Sequence, residues 1–395
     1  MKTNIGVFFG GRSTEHEISV ISANQAMHAI DTDKFDITPI YITKDGQWYT
    51  GQALMDIKNY RDIPGLLKQC TPVYMKPLYG DYNLYTERKG FMKSGTAVVT
   101  TLDVAIPVLH GSNGEDGTFQ GVLQSTGLPF AGCDVLSSAN GMDKITMKMI
   151  LAADGIPVVD YVWFTDRQWY TQRDQLIERI ESKIGYPVIV KPANLGSSVG
   201  IGRADDRETL IRKVEEAEKY STRLIVEHLV EQLQEINCSV LGDCNEYRTS
   251  VLEEPIKSGE ILSYQDKYMG GTKGAKGMQA SQKRIPADLP DDVTKRIQFL
   301  AGETFRVLGC HGVSRVDMIV DRKDGSIYVN EINTIPGSLS FYLWEATGTT
   351  FTQLMDELVR LALKRRRDAE QKTVSYDANI FAMGGGTKGA KGAKA

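Results

Sequence analysis

The sequence of 395 residues lacks any apolar run that approaches the roughly 20 residues of a membrane-spanning helix. Its start, MKTNIGVFFGGRSTEHE, turns polar after a short apolar stretch, which is unlike a secretory signal peptide. We therefore expect a cytoplasmic protein without membrane insertion.

Cysteine is scarce and irregularly spaced. The five cysteines are an odd number, and none of them forms a CxxC pair. A disulfide framework and a cysteine-based zinc site are both disfavoured by this pattern, so we expect reduced thiols.

An excess of positive charge is also missing, because 46 basic side chains face 50 acidic ones and the net charge is −4. Binding of nucleic acid through global positive charge is therefore disfavoured, and small molecules are the expected partners. The hydrophobic content of 41% is that of an ordinary globular protein. The length predicts about two or three domains.

Neither common glycine-rich nucleotide motif occurs: there is no GxxxxGK[ST] and no GxGxxG after a strand. A different loop, Asn194–Gly200 (NLGSSVG), lies between two predicted strands and follows Lys191. Small residues allow backbone N–H groups to approach phosphate oxygens, and hydroxyl groups add further donors. With Lys144 and Lys267, three cations are available, which suits a triphosphate.

Strands and helices alternate in the first part of the chain. Residues 4–9 predict a strand, residues 10–11 a glycine turn, and residues 15–30 a helix. The apolar run Leu102–Leu109 predicts a second strand that leads into the segment HGSNGEDGTFQG. This alternation indicates an open parallel sheet, whereas the chain after Gly185 has the character of β-hairpins.

A late hairpin carries the strongest pattern for chemistry. Alternate residues of a strand point to one face, so Arg315 and Asp317 share a face, as do Glu331 and Asn333. The turn sequence DRKDG between them predicts a hairpin, although its register stays open. Two carboxylates, an amide oxygen and an arginine form a hard-oxygen site that suits Mg²⁺ with phosphate ligands.

Seven separated motifs occur in one order, namely GGRSTEHEIS, HGSNGEDGTFQG, MDK, VIVKPANLGSSVG, the acidic pair in VEH and QEI, DKY, and SRVD with NEINTIPG. Together they resemble the ATP-grasp superfamily, and closely the D-alanine:D-alanine ligase family, from about residue 4 to residue 370. The resemblance implies an α/β fold in which an amino-terminal open parallel sheet domain precedes a two-part ATP-grasp fold that clamps the nucleotide. It also implies ATP-dependent ligation of two D-alanines through an acyl phosphate, for peptidoglycan precursor synthesis.

The same resemblance implies a division of the chain. Residues 1–132 would form the amino-terminal α/β substrate-binding domain, and residues 133–227 the central ATP-grasp subdomain. Residues 228–372 would form the carboxy-terminal subdomain with the metal site and a closing loop, and residues 373–395 a flexible Gly/Lys-rich tail. The cofactors implied are ATP and two Mg²⁺ ions, which Mn²⁺ could replace, and the expected assembly is a homodimer.

For the phosphates, the resemblance implies that Lys144 and Lys191 bind the α- and β-phosphates. Ser198 and its neighbouring backbone amides would belong to the phosphate loop, and Lys267 would meet the γ-phosphate. Phosphoryl transfer between anions requires that these negative charges be neutralised, and lysines and metal ions do so.

For the nucleoside and the metals, the resemblance assigns Glu227 to the adenine amino group and Glu235 to the ribose hydroxyls. Asp317 would hold one Mg²⁺ ion, Asn333 the other, and Glu331 would bridge both.

For the first substrate, the resemblance implies that Glu15 binds the ammonium group and forms a triad with Ser197 and Tyr268. Relatives that accept D-lactate carry Phe at the position of Tyr268. Arg315 and the N–H of Gly337 would stabilise the oxyanion of the tetrahedral intermediate, a role that is worth about 3 kcal/mol per well-placed donor.

The site for the second substrate departs from the family pattern. His110 would line it, but Tyr342 occupies the position of a serine that holds the substrate carboxylate. Either Tyr342 or Ser340 could replace that serine, so a D-alanine:D-serine ligase, or a ligase for another D-amino acid, stays open. A nucleotide-binding regulator that has lost catalysis is an alternative from another class.

Overall fold

The computed structural model describes residues 2–88, 95–196, 199–256 and 283–374. The predicted site residues Ser197, Ser198, Lys267 and Tyr268 lie outside the described residues. So do residues 375–395 of the predicted tail.

The amino-terminal part forms a mixed sheet with a parallel centre. Its elements are β1 (Thr3–Gly10), α1 (His16–Ala29), β2 (Phe35–Ile42), β3 (Trp48–Thr50), 3-10 turns at Gln52–Met55 and Ile57–Arg61, α2 (Ile63–Leu67), β4 (Thr71–Val73), β5 (Asn83–Arg88), β6 (Gly95–Thr101), β7 (Val104–Val108), α3 (Thr118–Thr126), α4 (Val135–Met142) and α5 (Lys144–Ala153). The strand order is β4-β3-β2-β1-β7, while β5 and β6 form a separate ribbon.

The parallel pairing of β1 with β2 and β7 agrees with the expected parallel sheet. The sheet differs from that expectation at one edge, where β3 and β4 pair antiparallel. The physical reason is the tight turn after β2, in which Gly46 has a φ of +90° and reverses the chain directly, without a crossover helix.

The central part is a small antiparallel sheet with helices on it. Its elements are β8 (Tyr161–Thr165), α6 (Asp166–Lys183), β9 (Val188–Pro192), β10 (Gly202–Ala204), α7 (Arg207–Ala217) and β11 (Arg223–His228). The strand order is β10-β9-β11-β8. Capping boxes at Thr165 and Asp206 begin α6 and α7 by satisfying backbone N–H groups that have no partner within the helix.

The third part is an antiparallel sheet followed by two helices. Its elements are β12 (Leu233–Gly242), β13 (Tyr247–Pro255), β14 (Lys283–Arg284), α8 (Asp291–Val307), β15 (Gly312–Asp321), β16 (Ile327–Asn333), a 3-10 turn at Gly337–Ser340, α9 (Phe341–Ala346) and α10 (Phe351–Glu370). The strand order is β14-β13-β12-β15-β16. The predicted late hairpin is therefore confirmed as β15 and β16.

Two shared cores hold these parts together and so position the site. Leu354 and Leu358 of α10 are buried in one core with the central strands of the first sheet. Met147 and Leu151 of α5 are buried in another core with the strands of the third sheet. Because α5 packs on the third sheet, Lys144 at its first turn lies beside the late hairpin. No helix in the described parts of the chain is long and apolar enough to span a membrane.

Candidate active site

The late hairpin has a register that brings its four polar residues together. Arg315 pairs with Asn333 and Asp317 with Glu331, and directly opposed residues of antiparallel strands share a face. A bulge follows Asp317, where the register shifts before Met318. Such bulges occur next to active sites, where they redirect side chains.

Asp317 is the buried centre of this group. Arg315 forms two hydrogen bonds with it, from Nε to Oδ1 at 2.6 Å and from Nη2 to Oδ2 at 2.7 Å. Asn333 Nδ2 also donates to Oδ2, at 3.0 Å. Burial raises the pKa of Asp317, Arg315 opposes the rise, and the charges of Glu331 and Glu235 add to it. A carboxylate that lies close to other carboxylates, as Asp317 does, is stabilised in its charged form when a cation binds among them.

The donor set fits magnesium. In the described residues no three His, Cys, Asp or Glu side chains are grouped as metal ligands, and the hairpin offers two carboxylates and one amide. Mg²⁺ usually takes one or two protein carboxylates and completes its shell with water and phosphate oxygens. The residues present therefore suit Mg²⁺ that arrives with a phosphate group, rather than a closed structural site.

Two lysines connect the hairpin to the rest of the cleft. Lys144 Nζ lies 3.3 Å from Glu331 Oε2 and donates to the backbone oxygen of Leu195 at 2.8 Å. Lys191 Nζ donates to Glu227 Oε2 at 2.6 Å and to the amide oxygen of Asn330 at 3.2 Å. The fold thus brings both predicted phosphate ligands to one edge of the hairpin.

Glu227 is buried between two cations. Burial alone would raise its pKa, but the charges of Lys148 and Lys191 outweigh burial and lower the pKa to about 2. Sequence reasoning missed Lys148, although it lies one helical turn after Lys144 in MDKITMK. That i,i+4 spacing was the available signal, because it places both lysines on one face of α5. The predicted ribose ligand Glu235 lies on β12, opposite Ile319.

Glu15 directly precedes α1 and lies close to two glycines. A Cβ at Gly111, whose φ is +71°, would come within 2.6 Å of Glu15 Oε2, and a Cβ at Gly196 within 3.3 Å. Because these two residues are glycines, the backbone at Gly111 and at Gly196 can approach the Glu15 carboxylate closely. The structure thereby brings Glu15 and Gly196 into the same cleft.

His110 links two segments and has no free ring nitrogen. Its Nδ1 lies 2.9 Å from the backbone oxygen of Ile335, and its Nε2 lies 2.9 Å from Ser22 Oγ. Burial lowers the pKa of His110 to about 4, so the ring is neutral at pH 7. His110 is among the residues that line the cleft, and these bonds favour a positioning role over proton transfer.

Glu115 is a second residue that sequence reasoning missed. Its Oε2 accepts from the N–H of Gly111 at 2.8 Å, and its Oε1 accepts from the N–H of Ile335 at 3.1 Å. It therefore joins the HGSNGEDG segment to the segment after β16. Burial and the charge of Glu15 raise the pKa of Glu115 to about 8.

This raised pKa predicts a pH dependence of stability. The folded protein holds a proton on Glu115 that the unfolded chain releases near pH 4.5, so stability falls as the pH rises towards 8. Glu115→Gln removes this titration, and we expect wild type to lose about 2 kcal/mol relative to the variant between pH 6 and 8. Urea unfolding at pH 6 and at pH 8 measures this loss in the free energy of unfolding.

Glu231→Gln, at an exposed position, is the control and should keep the pH dependence of wild-type stability. If the stability of Glu115→Gln changed with pH as much as that of wild type, the raised pKa of Glu115 would be contradicted.

The turn after β16 has an unusual backbone. Ser338, Leu339 and Ser340 have φ values of 52°, 53° and 50°, which L-residues rarely adopt. The N–H of Ser338 donates to Ser22 Oγ at 2.9 Å and helps to hold the turn. Gly337, the predicted oxyanion donor, begins this turn.

The two candidates for the second-substrate carboxylate differ in exposure. Ser340 is fully buried, and its Oγ has no hydrogen-bond partner within the described residues. The hydroxyl of Tyr342 donates to Glu253 Oε2 at 2.9 Å, and Lys283 Nζ lies 4.1 Å from the centre of its ring.

The cleft itself has a volume of about 590 Å³ and is lined by Glu15, Lys144, Arg315, Glu331, Gly337 and Tyr342, among others.

The family models and the similar proteins of known function all point to one family. Residues 4–133 match the family model "D-ala D-ala ligase N-terminus", and residues 150–360 match "D-ala D-ala ligase C-terminus". The D-alanine--D-alanine ligase of Thermosipho melanesiensis is 39% identical over 378 residues, which cover 96% of this chain and 98% of that protein. The enzyme of the same name from Caldicellulosiruptor bescii is 40% identical over 382 residues, covering 95% and 98%.

Solved structures agree with this result. The D-alanine-D-alanine ligase from Coxiella burnetii superposes with a TM-score of 0.75 at 30% identity, covering 93% of this chain and 96% of that one. The VanG D-Ala:D-Ser ligase from Enterococcus faecalis superposes with a TM-score of 0.76 at 32% identity, covering 92% and 100%.

Proposed function

The chain belongs to the D-alanine–D-alanine ligase family of ATP-dependent enzymes of cell-wall synthesis, and we propose that it forms D-alanyl-D-alanine through an acyl phosphate. The observation that carries this proposal is the register of the late hairpin. It sets Arg315, Asp317, Glu331 and Asn333 on one face, beside the cleft that Glu15 also lines.

The proposed reaction has two steps. A carboxylate oxygen of the first D-alanine attacks the γ-phosphorus, the bond between that phosphorus and the β–γ bridging oxygen breaks, and ADP leaves. The amine of the second D-alanine then attacks the acyl carbon, phosphate leaves with the bonding pair, and the nitrogen releases a proton. Both steps join anionic or electron-rich groups, so positive charge and fixed donors lower the barriers.

In the first step, Lys144 and Lys191 bind the phosphates and align the γ-phosphorus with the attacking oxygen. Asp317, Glu331 and Asn333 would hold two Mg²⁺ ions, which Mn²⁺ could replace. When bound, these ions neutralise phosphate charge and orient the phosphate oxygens. Ser198 and Lys267, which lie outside the described residues, complete the phosphate site in this proposal.

In the second step, Arg315 and the N–H of Gly337 stabilise the oxyanion. Both line the cleft, and the backbone beside Gly337 is held by the bonds of Ile335 to Glu115 and His110. Glu15 binds the ammonium group of the first D-alanine, with Ser197 and Tyr268 as its partners. Glu227 and Glu235 bind the adenine and the ribose.

D-serine is a second candidate for the acceptor. Tyr342 replaces the serine of the family pattern, and its hydroxyl is engaged with Glu253. One solved structure with this fold is that of a D-Ala:D-Ser ligase. D-alanine is favoured because the chain resembles ligases named for it over nearly its full length.

The decisive assay mixes purified protein with ATP, Mg²⁺ and equal concentrations of D-alanine, D-serine and D-lactate, and resolves the products by mass. We expect D-alanyl-D-alanine as the main product, with one phosphate released per dipeptide. If D-alanyl-D-serine were the main product, D-serine would be the second substrate instead of D-alanine. Neither phosphate nor dipeptide at millimolar substrate would favour a nucleotide-binding regulator.

The proposal extends to location and assembly. We place the enzyme in the cytoplasm, because its reaction consumes ATP. We also expect a homodimer, as family likeness implies, and light scattering coupled to size-exclusion chromatography measures this assembly.

The proposal also divides the chain into domains. Residues 1–132 act as the substrate-binding domain, residues 133–227 and 228–372 as the two ATP-grasp subdomains, and residues 373–395 as a tail.

A further inference from the structure

Lys148 is a fully buried cation for which the proposed mechanism has no use. It lies on α5 one turn after Lys144, its side chain is 0% exposed, and its Nζ is 3.3 Å from Glu227 Oε1. The hydrophobic neighbours Met147 and Leu151 hold this helix against the third sheet. The position of the ammonium group is therefore set by packing.

A buried lysine is costly unless a carboxylate compensates its charge. Burial lowers the pKa of Lys148, and the nearby Glu227 counteracts part of that effect. Removing one partner of such a pair leaves an uncompensated buried charge, which is strongly destabilising. Lys148 and Glu227 thus stabilise each other.

Glu227 has one cation at each oxygen. Lys148 faces Oε1, while Lys191 donates to Oε2 at 2.6 Å. The two cations differ in their surroundings, because Lys191 also donates to Asn330 on the late hairpin, whereas Lys148 has no exposed surface.

The proposed function requires Lys191 to bind a phosphate. A nucleotide that draws Lys191 away leaves Glu227 buried, with Lys148 as its remaining counter-ion among the described cations. Without Lys148, the carboxylate would then take up a proton or change its orientation.

We propose that Lys148 is a positioning residue for nucleobase selection, which keeps Glu227 ionised and directed at the exocyclic amine of adenine while Lys191 binds phosphate. The inference rests on the proposed function, in which Glu227 binds that amine. An ionised carboxylate only accepts hydrogen bonds, so it pairs with a 6-amino group and repels the 6-oxo group of hypoxanthine. A protonated carboxyl can donate to a 6-oxo group, so loss of Lys148 should weaken this selection.

The test compares binding of ATP and ITP to the full chain by calorimetry, with Mg²⁺ and without amino acid. We expect Lys148→Met to reduce the preference for ATP by about tenfold or more, because a carboxyl group that has taken up a proton no longer discriminates against the 6-oxo group. Lys148→Arg, which keeps the charge, should retain most of the preference. Lys219→Met, at an exposed position on the chain after α7, should behave like wild type.

A second pair of variants keeps the test decisive if Lys148→Met fails to fold. Lys148→Met combined with Glu227→Gln contains no uncompensated buried charge at this pair, and it should select ATP as poorly as Glu227→Gln alone. A wild-type preference for ATP in Lys148→Met, or a further loss in the double variant, would overturn the inference. A wild type that prefers ATP but forms no dipeptide would instead contradict the ligase proposal, and the nucleobase test would still be valid.

Discussion

Glu331→Gln should lower turnover by about a thousandfold or more, which corresponds to at least about 4 kcal/mol in the barrier. Glu331 lies directly opposite Asp317 in the hairpin and 3.3 Å from Lys144. In the proposed mechanism its carboxylate would help to hold the Mg²⁺ ions, so a neutral amide would remove negative charge that those cations need. Phosphate release at saturating ATP and D-alanine, over a range of Mg²⁺ concentrations, measures the effect.

Glu345→Gln provides the matched control, because Glu345 is exposed on α9. It should keep the wild-type rate and the wild-type Mg²⁺ dependence. Both variants should melt near the wild-type temperature, since neither carboxylate lies in a core. A Glu331→Gln enzyme with a near-normal rate would mean that the metal site lies elsewhere.

The alternation of side chains on a strand was sufficient to predict which residues of the late hairpin share a face. The hairpin itself was predictable from the turn DRKDG between two apolar runs. Its register was not, because two strands joined by a loop of several residues can pair in more than one way. The bulge after Asp317 is a further feature that local sequence does not encode.

Contacts between distant segments were the main limit of prediction from sequence. Glu115 and Ile335 are 220 positions apart, and nothing in either motif indicates that one carboxylate joins them. The role of Lys148 was equally hidden in the sequence, because it depends on contact with Glu227. Glu227 lies on β11 of the central sheet, whereas α5 packs on the third sheet. Helical spacing indicated only which face of α5 it occupies. The mixed edge of the first sheet was missed because a short strand after a glycine turn carries little periodicity.

Arg315→Lys is the second large effect that we expect, with kcat lower by about a hundredfold and the KM for ATP little changed. The guanidinium of Arg315 binds both oxygens of Asp317 at 2.6 and 2.7 Å and lines the cleft near Gly337. Lysine retains the charge but offers no planar pair of donors, so the substitution is not conservative at such a site. The loss of one well-placed oxyanion donor costs about 3 kcal/mol, which is about a hundredfold in rate.

Mg²⁺ titration of the Arg315→Lys variant separates the two ways in which Arg315 can act. If Arg315 only holds Asp317 in place, the variant binds metal poorly, and a high Mg²⁺ concentration restores its rate. If Arg315 contacts the tetrahedral intermediate, as we propose, the rate stays low at saturating Mg²⁺. Arg367→Lys, at an exposed position near the end of α10, should match wild type throughout. Full recovery of kcat with added Mg²⁺ would therefore reassign Arg315 from the oxyanion to the support of a metal ligand.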